Sequence, residues 1–225
     1  TNDQEAFTKA SAFFNKRKGN GKLIIPKGTY IVGRQQFTGN KPNSDKAYKG
    51  EYALDLIGCN NMVIEGKLGA VIKNADSIRI GTFYPGTGKP FKHSMKDINI
   101  DPAYAKYASS AGIVLHVSQS GNISITGLTL DGNMNSFIFG GNWGSGRNAY
   151  ELIHYGIYII DSHDISLNNC AIKNFACDGI YIANLGKEVK TFNININKVK
   201  VNYCGRNGLS WLGGDNIRVT NSVFS

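Results

Sequence analysis

The feature that most constrains this chain is a nine-residue pattern that returns. Asn122-Ile123-Ser124-Ile125-Thr126-Gly127-Leu128-Thr129-Leu130 aligns position by position with Asp164-Ile165-Ser166-Leu167-Asn168-Asn169-Cys170-Ala171-Ile172. Asn193-Ile194-Asn195-Ile196-Asn197-Lys198-Val199-Lys200-Val201 and Asn216-Ile217-Arg218-Val219-Thr220-Asn221-Ser222-Val223-Phe224 continue the series, and Asn61-Met62-Val63-Ile64-Glu65-Gly66 is a looser copy. Each copy opens on Asn or Asp, alternates apolar and polar positions, turns on polar residues and closes on a second apolar pair. Alternation at period 2 is the signature of strands.

A second repeat lies between the copies: Gly112-Ile113-Val114-Leu115, Gly156-Ile157-Tyr158-Ile159, Gly179-Ile180-Tyr181-Ile182 and Gly208-Leu209-Ser210-Trp211. Its glycines are 23 and 29 residues apart from Gly156 onward, and 44 apart where a long excursion at 132–155 intervenes. Self-similarity at such periods marks a solenoid, in which each circuit buries its apolar layer only by stacking on the next. Short strands without helical stretches predict an all-β parallel β-helix, with a single domain over residues 1–225 and loops near 81–110 and 132–155.

A solenoid end exposes core and strand edges unless it is capped. Phe7, Ala10 and Phe14 recur at helical spacing, Thr1 and Gln4 have the spacing of a capping box, and Lys16-Arg17-Lys18 suit a helix C-terminus ended by Gly19 and Gly21. Residues 1–33 therefore read as a capping helix and the first strands, Lys22–Ile25 and Tyr30–Val32. The C-terminal end shows no comparable cap and stops at Val223-Phe224-Ser225, inside a strand copy, so a continuation of the chain or another cover is expected there. The start at Thr1 suggests a mature or trimmed form.

Composition narrows the functional classes. The 225 residues are 41% hydrophobic with 25 Lys+Arg against 16 Asp+Glu, a net charge of +9. That apolar content excludes a disordered chain, and no apolar run is long enough for a membrane-spanning helix. The basic excess is concentrated in the first fifty residues. No zinc finger, ribonucleoprotein motif or basic zipper accompanies it, so no nucleic-acid partner is expected. Cys59, Cys170, Cys177 and Cys204 have no metal-ligand spacing, and no carboxylate cluster suggests calcium, so neither a metal nor a cofactor is expected. Cys170 falls on an inward position. Cys177 and Cys204 lie near equivalent corners of neighbouring repeats, which leaves a disulfide between them open.

Site candidates follow from stacking. With Ile157, Ile180 and Leu209 inward, Tyr158, Tyr181 and Ser210 form an outward column, and two stacked tyrosines would make a platform for a sugar ring. His154, Asp178 and Arg206 each stand just before a repeat glycine, so neighbouring circuits would bring them together as an acid–base and anion-binding group. Trp143 and Arg147, in the glycine-rich excursion, are further substrate-binding candidates. Asp161, Glu151 and Asp131 are conceivable carboxylate partners for Asp178. Lys173 is a conceivable cation. His93, His116 and His163 read as surface or turn residues.

The opening Thr1-Asn2-Asp3-Gln4-Glu5-Ala6-Phe7, the Gly19–Gly21 stretch and Leu23-Ile24-Ile25-Pro26-Lys27-Gly28-Thr29-Tyr30 resemble the first segment of the pectate-lyase-like superfamily. Gly179-Ile180-Tyr181-Ile182 and the following Asn-Ile strands resemble its coils. The resemblance implies a single-stranded right-handed parallel β-helix, secreted or at the cell surface. It implies binding of a polysaccharide or oligosaccharide, with cleavage by lyase or glycoside hydrolase chemistry. Asp178-Gly179 is similar to the Asp-Gly pair of polygalacturonase-type hydrolases. Their paired Asp is absent, and Arg206-Asn207-Gly208 stands where they carry Gly-His-Gly. The alternative is a non-catalytic, tailspike-like binding or adhesion module.

Overall fold

The computed structural model describes residues 2–38, 47–84, 86–90, 108–141, 153–186 and 190–225. Its strands form an all-β parallel solenoid with one helix. The first sheet stacks Gly19–Ile25, Asn60–Gly66, Gly121–Thr126, His163–Asn168, Phe192–Asn197 and Asp215–Thr220 in that order. The second stacks Gly28–Val32, Ala70–Asn74, Thr129–Asp131, Ala171–Lys173, Lys200–Asn202 and Val223–Phe224. The third stacks Leu54–Ile57, Gly112–Ser118, His154–Ile160, Ile180–Ala183 and Leu209–Leu212. The chain visits third, first and second sheets in turn, and every pairing within these three sheets is parallel.

Register puts like on like. Leu56, Val117, Ile159 and Ile182 stack in one inward column of the third sheet, and Ile64, Ile125, Leu167 and Ile196 in one of the first. All eight are sealed from solvent. Burying each such side chain is worth about 1.5–3 kcal/mol. In the last circuit the same columns reach Trp211 and Val219, which are 53% and 41% exposed.

The recurring Asn has a conformational reason. Asn61, Asn122, Asp164, Asn193 and Asn216 all sit at φ of 53–55°, a left-handed region that Asn and Asp tolerate best among residues with a Cβ. The bend starts each strand of the first sheet. Four amides also bond down the stack: Asn61 Nδ2 to Asn20 Oδ1 at 3.2 Å, Asn122 Nδ2 to Asn61 Oδ1 at 2.7 Å, Asn193 Nδ2 to Asp164 Oδ1 at 2.8 Å, and Asn216 Nδ2 to Asn193 Oδ1. A second stack, absent from the sequence reading, is buried. The hydroxyls of Ser120, Ser162 and Thr191 accept the backbone N–H groups of Cys59, Ser120 and Ser162 respectively, each from the preceding circuit.

The helix covers Gln4–Arg17 and buries Phe7 and Phe14 against the core, with Ala10 packed beside them. Its N-terminus differs from the expected capping box. Asp3 is the N-cap, and Thr1 lies outside the described residues. Gln4 is instead buried. Its Oε1 accepts from the Gly33 N–H at 3.0 Å and its Nε2 donates to the Tyr52 carbonyl at 2.7 Å, which ties the helix to two loops. Lys18, not a glycine, takes the left-handed cap, and the first strand begins earlier than expected, at Gly19. There a side chain is impossible, because a Cβ would lie 2.1 Å from the Asn60 carbonyl oxygen.

The two expected loops contribute to a fourth, mixed sheet of Gln35–Phe37, Tyr48–Gly50, Ala108–Ser109, Arg79–Thr82 and Ile138–Gly140. Beneath it lies a small second core of Ile78, Ile80, Ala111, Phe137 and Ala176. All four cysteines are free, so the Cys177–Cys204 disulfide is not formed, and Cys170 is buried as its inward position requires.

Candidate functional site: the outer face of the third sheet

The outward column of the third sheet is longer than the sequence suggested. Register aligns Asp55, His116, Tyr158, Tyr181 and Ser210 on five consecutive strands. Side chains at equivalent positions stand about 4.8 Å apart, so the column spans roughly four such steps, about 19 Å. Tyr158 and Tyr181 are adjacent as expected, but their rings meet edge-on, 5.1 Å apart at 85°. Tyr155, which the sequence reading passed over, supplies the parallel partner: it stacks on Tyr181 at 5.0 Å and 15°. The three half-buried rings form one aromatic wall.

Burial keeps the phenols of Tyr158, Tyr155 and Tyr52 protonated. Desolvation, with Tyr181 close by, raises Tyr158 to about 12. Tyr155 is pushed above the usual tyrosine range chiefly by desolvation, and Tyr52 by desolvation and then by the Asp55 charge. Each is a hydrogen-bond donor across the physiological range.

At one end of the wall, Asp178 and Arg206 come together as expected. Asp178 is fully buried. Its Oδ1 accepts from Arg206 Nε at 2.8 Å and from the Asn207 N–H at 3.2 Å, while Oδ2 accepts from Arg206 Nη2. The fork-on-carboxylate geometry is the strong, bidentate kind. The guanidinium carbon lies 5.7 Å from the centre of the Tyr181 ring. Asp178 therefore aims Arg206, and Arg206 backs the aromatic wall.

His154 does not join them. Its ring is sealed inside, 4.8 Å from Phe137 and 5.0 Å from Phe175. Nδ1 accepts the Ala176 N–H at 2.9 Å, and Nε2 has no partner. Desolvation drives it down to about 3, so it is neutral at physiological pH. In register it sits opposite Cys177, while Tyr155 sits opposite Asp178. The trio expected at the repeat glycines thus divides into an Asp178–Arg206 clamp and an interior histidine.

At the other end of the wall stands a pair that sequence reasoning missed. His116 Nδ1 lies 2.7 Å from Asp55 Oδ1, and the imidazole packs between Tyr52 and Tyr158, with ring centres 5.1 and 5.4 Å away. His116 is a column residue, not the surface or turn residue expected. Asp55 also lines a cleft of about 650 Å3 between the helix and the segment 49–55, whose other walls include Ser11, Asn15, Glu51 and Tyr52.

Asp131 accepts from the Asn133 N–H and from Asn174 Nδ2 and lies 3.6 Å from Lys173, so both are committed to a turn. Asp161 is buried and holds the Leu185 N–H. Trp143, Arg147, Glu151 and His93 lie outside the described residues. No group of three or more His, Cys, Asp or Glu placed to hold a metal ion occurs among the described residues, and no helix among them is long and apolar enough to cross a membrane.

No family model and no curated protein matches this sequence. Among solved structures, it is similar to a putative glycosyl hydrolase from Parabacteroides merdae, at 13% identity and a TM-score of 0.49, covering 99% of this chain and 88% of that one. It is also similar to the A-module of the mannuronan C-5 epimerase AlgE6 from Azotobacter vinelandii, at 15% identity and a TM-score of 0.40, covering 99% and 66%. At these values neither says what this chain does.

Proposed function

We propose that this chain is a right-handed parallel β-helix protein of the pectate-lyase-like kind, secreted or at the cell surface, that binds a polysaccharide or oligosaccharide along the outer face of its third sheet. The observation that carries the reading is the five-strand column from Asp55 to Ser210, with its wall of three half-buried tyrosines. Aromatic faces pair with the apolar faces of sugar rings, and phenol, imidazole, carboxylate and hydroxyl groups beside them match sugar hydroxyls. In this reading Tyr158 and Tyr181 bind sugar, and Arg206, aimed by Asp178, borders the site. Cleavage by lyase or hydrolase chemistry is the further expectation. A carboxylate pair centred on Asp178 is disfavoured, because that group is sealed and bonded three times, whereas glycoside hydrolysis needs two carboxyl groups flanking the bond.

Binding to a panel of acidic and neutral glycans (polygalacturonate, alginate, xylan and β-glucan) by calorimetry, with parallel assays for new reducing ends and for unsaturated product, tests the reading. Binding weakened tenfold or more by Tyr181→Ala supports it. A protein that binds none of the panel, or binds equally well without Tyr181, refutes it. Binding without any product favours the adhesion module.

A further inference from the structure

We propose that His116, held by Asp55, is the proton-transfer residue of this sheet face, acting on a bound glycan or on the water beside it. The inference rests on the reading of the face as a glycan site, and it assigns chemistry to a different place from the Asp178 end.

The geometry is that of an oriented base. A carboxylate can only accept a hydrogen bond, so Asp55 Oδ1 at 2.7 Å fixes the proton on His116 Nδ1. The lone pair is then on Nε2. Among the described residues that atom makes no hydrogen bond and is not one of the sealed polar atoms of the interior, unlike Nε2 of His154. The ring cannot swing away, because Tyr52 and Tyr158 hold it from two sides and its side chain is only 11% exposed. The groups facing it are Asp55, Tyr52 and Tyr158, and no cation among the described residues contacts it. The Asp55 carbonyl accepts from Asn15 Nδ2 at 2.9 Å and its N–H donates to Ser11 Oγ at 2.9 Å, so the helix fixes the backbone that presents the carboxylate.

In the step itself, Nε2 takes the proton of a sugar hydroxyl or water. The O–H bond breaks, an N–H bond forms, and the electron pair left on oxygen makes that oxygen a nucleophile. The imidazolium charge is matched by Asp55. Base and orienting carboxylate in hydrogen-bond contact beside a binding wall is the arrangement general acid–base catalysis requires.

Two measurements on the intact chain test this. The first needs no substrate: diethyl pyrocarbonate acylates accessible neutral imidazole nitrogens, and peptide mapping reads each histidine. His116 is expected to react, with the exposed His163 as positive reference and the sealed His154 as negative. It should lose that reactivity when a glycan from the panel is bound. A refractory His116, or one that reacts equally with glycan present, overturns the proposal. The second is kinetic. His116→Gln should lower turnover by about 10²–10⁴-fold while binding persists. Asp55→Asn should lower it less and displace the pH–rate profile, which a purely structural role would leave in place. Turnover unchanged in His116→Gln, or a wild-type protein that binds glycan and turns none over, overturns it. Failure of the glycan-site reading is seen separately, as no binding by the wild type.

Discussion

His154 makes the fold itself sensitive to mild acid. The unfolded chain protonates this imidazole near pH 6.5, whereas in the folded state desolvation holds it down to about 3. Between those values the unfolded state carries the extra proton. Stability is therefore fully present above about pH 6.5 and falls as pH drops, by about 1.4 kcal/mol per unit. From pH 7 to pH 5 the loss comes to about 2 kcal/mol, a sizeable share of the ~5–15 kcal/mol that holds a typical domain. Urea denaturation at pH 7, 6 and 5 should show it as a falling midpoint. His154→Phe fills the same space between Phe137 and Phe175 but leaves the Ala176 N–H without its acceptor, which costs about 1–3 kcal/mol. The variant should start lower at pH 7 and lose the histidine's part of the slope. A variant with the wild-type slope, or a His154 ring proton seen titrating near pH 6.5, would refute the reasoning.

Other consequences are as direct. Arg206→Ala strands a sealed carboxylate and should cost about 3–5 kcal/mol, more than Asp178→Ala, because Arg206 keeps a quarter of its side chain exposed and can turn to water; equal losses in denaturation would show that the clamp is not buried as described. The Asn stack is broken at Asp164, which has no amide proton to offer Asn122. Asp164→Asn in high salt, where the exposed His163–Asp164 pair is screened, should raise stability by about 1 kcal/mol, read as a melting-temperature gain of ~2–4 °C; no gain would mean the stack stops there. Ile159→Ala opens a cavity in a column sealed on both sides by Val117 and Ile182 and should cost about 2–5 kcal/mol, and a loss below 1 kcal/mol would contradict that packing.

Inference from sequence reached the site wherever the repeat carried it. Tyr158 and Tyr181 follow glycines at the same offset in successive circuits, so their adjacency could be read directly. Asp178 and Arg206 both precede repeat glycines, at offsets of one and two residues, and the length of the Arg206 side chain closes the gap. His116 and Asp55 are 61 residues apart. The circuit holding Asp55 lacks the Gly-Ile-Tyr-Ile pattern, and Gly112 pairs with His154 rather than with Gly156, so the repeat set Val114 beside Tyr158 where the register sets His116. Only the backbone register sets histidine on carboxylate. His154 failed in the opposite way. Its offset from Gly156 matches that of Arg206 from Gly208, whereas Asp178 stands one residue nearer its glycine, and the His154 side chain turns inward to the Ala176 N–H, to Phe137 of the second core and to Phe175 of the main one.

What the residue order determined alone was the solenoid: alternating Ile, Leu and Val that can be buried only by stacking, and Asn or Asp where the backbone needs a left-handed bend. What the tertiary structure decided was the chemistry of each polar side chain. Solvent access and partners from distant circuits set one histidine against a carboxylate and two tyrosines on an outer sheet face and make another a neutral core residue, and neither property is a function of sequence spacing.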